Sequence, residues 1–134
     1  MTPKAIVETM LSKDQFSNWL GIEILAIEAG YCKAQMTVTN EMLNGMYLTH
    51  GGISYSLSDS IFAFASNAHG IKAVSIETSI SHMRPTTDGD ILTAETEEIH
   101  FGTKNAIYLV TITNQEGKKI SLFKGTAFRT GEAW

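Results

Sequence analysis

The spacing of hydrophobic and polar residues changes several times along the chain, and each change predicts a new element. Residues 2–11 place apolar side chains at helical spacing behind a Thr-Pro opening, and residues 14–20 predict a second short helix. From Gly21 apolar and polar residues alternate. The alternation resumes over Tyr31 to Thr39 after an Ala-Gly turn. This switch from a period near 3.6 to a period of 2 predicts a β-hairpin.

The longest apolar stretch lies in the middle of the chain. It runs from Thr49 to about His69, with Gly70 as a C-terminal stop, and a loop is predicted before it over residues 40–48. The stretch is apolar almost all round, which is typical of a helix that is buried inside a fold. We therefore expect one long central helix surrounded by the other elements.

Four strands are predicted after the central helix, separated by polar or glycine-containing turns. They are Lys72 to Met83, Ile91 to Phe101, Asn105 to Asn114 and Lys119 to Thr130. The whole chain then reads as one α+β domain, residues 1–134, with a helical segment over about residues 1–20. A six-stranded, mainly antiparallel sheet that wraps around one long central helix is the hotdog architecture.

Composition narrows the possible functions. The net charge of −4 argues against nucleic-acid binding, and no stretch approaches the ~20 apolar residues of a membrane span. The segment before Ser12 has no long apolar run, so no signal peptide is predicted and a cytoplasmic location is expected. The single cysteine, Cys32, excludes an internal disulfide and is expected to be a small buried residue. Most lysines and arginines follow Gly70, which suits either an anionic ligand or solvated strand ends.

The residues best suited to catalysis lie at the start of the central helix, together with one carboxylate inside it. His50-Gly51-Gly52 opens the helix, and glycines there leave backbone N–H groups open to a ligand. Asp59 follows inside the apolar stretch, with no cation three or four residues away. Donors at a helix start and a carboxylate can polarise and attack a carbonyl group.

Each of these residues also has a purely structural interpretation. His50 can cap the helix start or orient Gly51, and Asn44 can be a turn residue or present its amide to a water molecule or substrate. Gly51 and Gly52 can serve tight packing as well as ligand approach. Asp59 can belong to a buried hydrogen-bond network, or it can be a nucleophile or general base.

Helix geometry separates the two halves of this candidate site. Gly51 and Asp59 are eight residues apart, which is about 12 Å along a helix axis. One carbonyl cannot readily contact both residues. We therefore predict a homodimer in which the helix start of one subunit meets the carboxylate of the other.

With these residues assembled, the chain resembles the hotdog acyl-CoA thioesterases of the phenylacetate-pathway (PaaI-type) group. The matching positions extend from about Gly21 to Arg129. They are Asn44, His50-Gly51-Gly52, Leu57, Asp59, Ala73-Val74-Ser75, Arg84-Pro85 and Gly89-Asp90. The spacing of the HGG motif and Asp59, set in this order of elements, carries the resemblance.

The resemblance implies a role for each catalytic position. Asp59 is the nucleophile or the base that activates water, and the Gly51 N–H, with Gly52 beside it, polarises the thioester carbonyl. Asn44 and His50 position water or the thioester sulfur. Ser75, on the strand after the helix, joins the Asp59 side of the site.

The resemblance also implies a substrate and an assembly. The expected reaction is hydrolysis of an acyl-CoA, with an aryl-acetyl or medium-chain acyl group, to the free acid and CoA, without a metal or redox cofactor. Dimers of dimers are expected, with CoA along the subunit interface. Its phosphates would meet Arg84, Lys104 and Lys124, with Asn105 and Gly125 beside them. A non-catalytic acyl-CoA-binding module and a hotdog hydratase or dehydratase stay open as alternatives.

Overall fold

A computed structural model describes all 134 residues and contains three α-helices and six strands. The helices are α1 (Pro3–Leu11), α2 (Gln15–Leu20) and α3 (Gly51–Asn67). The strands are β1 (Glu23–Glu28), β2 (Tyr31–Thr37), β3 (Ile71–His82), β4 (Ile91–Phe101), β5 (Asn105–Thr113) and β6 (Lys119–Ala133). Every predicted helix and strand is present, so the sequence pattern located the elements correctly.

One antiparallel sheet contains all six strands, in the order β1-β2-β4-β5-β6-β3. Helix α3 packs against five of them, which are β2, β3, β4, β5 and β6. The sheet therefore curves around α3, as the hotdog arrangement predicts. No helix of the protein has the length and apolarity that a membrane crossing requires.

Three boundaries differ from the sequence prediction for local reasons. The segment predicted as loop contains a 3-10 helix over Asn40–Met42. Helix α3 begins at Gly51 rather than Thr49 because the His50 side chain caps its start, and it ends at Asn67 with Ala68 as its C-cap. Strand β6 continues to Ala133 because Ile71, at the start of β3, pairs with it there.

The core forms where aromatic side chains of α3 meet the concave face of the sheet. The Phe62 ring lies 5.7 Å from the Tyr108 ring and 5.8 Å from the Phe123 ring. Gly125 on β6 lies below this cluster, and a Cβ there would be 2.9 Å from the Phe62 ring. The absence of a side chain at Gly125 thus lets α3 approach the sheet.

This contact predicts a stability effect. We expect Gly125→Ala to destabilise the protein by about 1–3 kcal/mol, because the added methyl overpacks a filled core. The matched control is Gly45→Ala, where a Cβ would meet no atom within 4 Å and the change should stay below about 1 kcal/mol. Denaturant unfolding of both variants measures this difference, and equal midpoints would contradict the packing role of Gly125.

Strand β3 forms one edge of the sheet. One side of it pairs with β6, and the other side has no partner strand within the chain. Val74 and Ile76, on this strand, are 53% and 57% exposed. An edge strand with exposed apolar side chains is a surface that another strand can cover.

Candidate active site

The loop before α3 is held in place by the loop after β3. The Thr49 N–H donates to the Thr86 carbonyl at 2.8 Å, and the Thr87 hydroxyl donates to the Tyr47 carbonyl at 2.9 Å. Tyr47 has a φ of +61°, a left-handed conformation that a non-glycine residue adopts only under such constraint. The start of α3 is therefore fixed relative to the end of β3.

Asn44 shapes this loop through its side chain. Its Oδ1 accepts hydrogen bonds from the backbone N–H groups of Met46, at 2.8 Å, and Leu48, at 3.3 Å. The amide nitrogen makes no hydrogen bond within the chain, and Asn44 lines a cavity at the helix start. The structure thus shows Asn44 as a turn residue, and its amide nitrogen stays available as a donor.

His50 distinguishes the two glycines of the HGG motif. Its Nδ1 accepts a hydrogen bond from the Gly52 N–H at 2.9 Å, which makes His50 the N-cap of α3. The Gly51 N–H has no hydrogen-bond partner within the chain. The capping interpretation of His50 is therefore correct, and Gly51 rather than Gly52 presents the open donor.

The open donor faces a cavity of about 330 Å³ between the start of α3 and the end of β3. Arg84 supplies a positive charge on its wall and donates from its guanidinium to the Lys119 carbonyl at 3.1 Å. No Asp or Glu side chain lines the cavity. The Arg84 cation and the free Gly51 N–H make this space suitable for an oxygen that carries negative charge.

Two residues of this cavity were missed by the sequence analysis. His82, the last residue of β3, and Ser54, one turn into α3, lie on its wall. Ser54 Oγ and His82 Nδ1 are 3.3 Å apart. Neither residue stands in a motif, and about thirty residues of sequence separate them, so no local signal could have paired them.

Asp59 lies in the middle of α3. The side chain is half-buried and makes no hydrogen bond or ion pair within the chain. Burial raises the pKa of this carboxyl above its ordinary value, because the charged form loses hydration without gaining a partner. Asp59 does not line the Gly51 cavity, so one chain does not bring the predicted catalytic groups together.

Ser75 also lies apart from the cavity. It is exposed near the start of β3, opposite Ala127. His82 follows seven residues later on the same strand, which corresponds to about 23 Å at ~3.3 Å per residue. Ser75 and the helix start therefore cannot share one site within one chain.

The predicted CoA-binding residues have different positions. Only Arg84 among them lines the Gly51 cavity. Lys104 and Asn105 lie at the turn into β5, Lys124 pairs with Glu77 at 3.1 Å, and Gly125 packs against Phe62. Their contact with CoA stays a prediction.

Outside the cavity we looked for a reactive thiol and for a cluster of metal ligands among the described side chains. Cys32 is fully buried in β2, and burial raises the pKa of its thiol to about 12, so the thiol stays protonated. No cluster of three or more His, Cys, Asp or Glu side chains is arranged to hold a metal ion.

The chain is similar to known esterases and thioesterases. The model of the thioesterase superfamily matches residues 47–121. A putative esterase of Archaeoglobus fulgidus is 41% identical over 95% of this chain and 82% of its own length. The acyl-coenzyme A thioesterase PaaI of Escherichia coli is 39% identical over 91% of this chain and 87% of its own length.

The chain also has the same fold as solved structures of this kind. The structure of E. coli PaaI, from the phenylacetic acid degradation operon, superposes with a TM-score of 0.95, covering 98% of this chain and 95% of PaaI, at 37% identity. A hypothetical thioesterase protein of Streptococcus pneumoniae, solved with coenzyme A, gives a TM-score of 0.81 at 30% identity, covering 84% of this chain and 88% of that one. That protein was also solved as an aspartate-to-alanine and a threonine-to-alanine mutant.

The hotdog fold and the prediction of an enzyme of the thioesterase type are thereby confirmed. The matched region contains the whole of α3, with Gly51 and Asp59, and the cavity residues His82 and Arg84. The chain belongs to the thioesterase superfamily.

Proposed function

We propose that the protein is an acyl-CoA thioesterase that hydrolyses an acyl-CoA to the free acid and CoA. The observation that carries this proposal is the unbonded Gly51 N–H at the start of a buried helix, facing an open, positively charged cavity. The similarity to E. coli PaaI, itself an acyl-coenzyme A thioesterase, supports the same substrate class.

The chemistry follows from the charges that develop during attack on a thioester. The carbonyl oxygen becomes negative as the acyl carbon turns tetrahedral. The Gly51 N–H, at the positive end of α3, stabilises it there. Asp59 attacks this carbon or activates a water that does so. The carbon–sulfur bond then breaks, and the CoA thiolate leaves and takes up a proton.

The distances between the proposed catalytic residues along α3 and β3 support a site that two copies of the chain share. Gly51 and Asp59 are about 12 Å apart along α3, and His82 and Ser75 are about 23 Å apart along β3. If two copies pair antiparallel through their free β3 edges, the end of one strand lies beside the start of the other. The Ser75 end of β3 in one copy then approaches the cavity of the other.

The Streptococcus pneumoniae relative supports the same grouping. The aspartate and the threonine that were mutated there are 16 residues apart, and 16 residues also separate Asp59 and Ser75. A hydroxyl residue occupies the second position in both proteins. We infer that Asp59 and Ser75 act on the same side of the site.

The CoA moiety is proposed to extend from the cavity along the subunit interface. Arg84 is the first candidate for its phosphates because it lines the Gly51 cavity. The further candidates are Lys104 and Asn105 at the start of β5, and Lys124 and Gly125 on β6. An aryl-acetyl or medium-chain acyl group is proposed from the similarity to PaaI. The tetramer and the cytoplasmic location stay predictions.

A thiol-release assay tests this function directly. We expect free CoA thiol from an aryl-acetyl-CoA or a medium-chain acyl-CoA, with the long-chain and acetyl esters as comparisons in one panel. Tight binding without thiol release would instead indicate a non-catalytic acyl-CoA-binding module. A change in enoyl absorbance without thiol release would indicate a hydratase or dehydratase.

A further inference from the structure

His82 lies on the wall of the Gly51 cavity, at the end of β3. Its Nε2 lies 3.3 Å from the place that a Cβ would take on Gly51. Its Nδ1 faces Ser54 Oγ at 3.3 Å. The imidazole is therefore held beside the open donor of α3, on the wall of the same cavity.

The Ser54 hydroxyl orients the His82 ring. It lies 3.2 Å from the Gly51 carbonyl, to which it can donate, and 3.3 Å from His82 Nδ1. In the arrangement where it donates to the carbonyl, its lone pairs accept from Nδ1–H, and Nε2 is the acceptor nitrogen on the Gly51 side.

The other polar groups of the cavity are donors or are already engaged. The Gly51 N–H and the Asn44 amide nitrogen are free donors, and Arg84 is a cation. The hydroxyls of Thr49 and Thr86 bond each other at 2.7 Å. His82 is consequently the one imidazole on the wall of this cavity.

We propose that His82 is a catalytic base, which rests on the proposed thioesterase function. Asp59 of a second copy attacks the acyl carbon first, so the carbon–sulfur bond breaks and the thiolate leaves. A water then donates a proton to His82 Nε2 while its oxygen bonds to the same carbon. The bond to the Asp59 oxygen breaks, the carboxylate is restored, and His82 returns its proton to solvent.

This order of steps makes a distinctive kinetic prediction for His82→Gln. The first step is intact and the second is slow, so the variant should release about one thiol per active site in a burst. The following steady rate should be about 10²–10⁴-fold below wild type. Because His82 is exposed, the variant should keep the wild-type unfolding midpoint.

Matched variants separate this inference from the proposed function. Asp59→Asn should show no burst, because no acyl group is transferred. Ser54→Ala keeps the base but frees its ring, and should show a smaller loss of rate. If His82→Gln keeps a wild-type steady rate, or is slow without a burst, His82 is not this base, and the thioesterase assignment is unaffected. If the wild type itself releases no thiol, both proposals fail.

Discussion

Asp59→Asn is expected to lower the rate of thiol release by at least about 10³-fold, because it removes the group that attacks or activates water. Asparagine has nearly the same shape, so the fold and the oligomer should be unchanged. The kcat for the best acyl-CoA of the panel measures the effect. A near-normal kcat would remove Asp59 from the mechanism, whatever the identity of the substrate.

The same substitution is expected to stabilise the protein at neutral pH. Burial raises the pKa of Asp59 in the folded state, so the folded protein binds this proton more tightly than the unfolded chain does. The resulting stabilisation is complete below the ordinary aspartate pKa of about 4 and is lost as pH rises through the folded pKa. Denaturant midpoints should therefore favour Asp59→Asn at pH 7 and converge with wild type in acid. A less stable variant at pH 7 would contradict the absence of a partner for this carboxylate.

Two variants that are inactive alone should restore activity when they are mixed as subunits. Gly51→Val blocks the helix start, since its side chain meets His82, while Asp59→Asn removes the attacking group. A mixed dimer of the two contains one site with both wild-type residues. Random mixing in equal amounts should then give about a quarter of wild-type activity, measured as thiol release after co-expression.

The double variant provides the control for this experiment. When Gly51→Val/Asp59→Asn is mixed equally with wild type, every mixed dimer has two broken sites if the sites are shared. The activity should then be about a quarter of that of an all-wild-type sample. If each site belonged to one chain, the mixed dimers would keep one site and the activity would be about half. That result, together with no recovery in the first mixture, would refute the shared site.

The fold was predictable because the hydrophobic period records which face of each element is buried. The apolar stretch of α3 and the alternation in β5 translate directly into burial. The 3-10 helix at Asn40–Met42 and the last three residues of β6 were not predictable. Short turns and strand ends depend on which backbone group lies opposite, and a single segment does not contain that information.

The candidate site was predictable only in part. Gly51 and Asp59 stand out because a glycine pair and a lone carboxylate break a run of apolar residues. His82 does not stand out, because a histidine at the end of a polar strand is ordinary. Its contact with Gly51 exists only because β3 returns beside the start of α3.

The sequence by itself determined the order of elements, the central helix and the separation of Gly51 from Asp59, since all three follow from spacing along one chain. The tertiary structure decided which of the two glycines keeps its N–H free, because His50 turns back to cap Gly52. It also decided that Ser54 and His82 line the Gly51 cavity. Those contacts depend on how the loop after β3 holds the loop before α3, and hydrophobic spacing carries no information about such long-range packing.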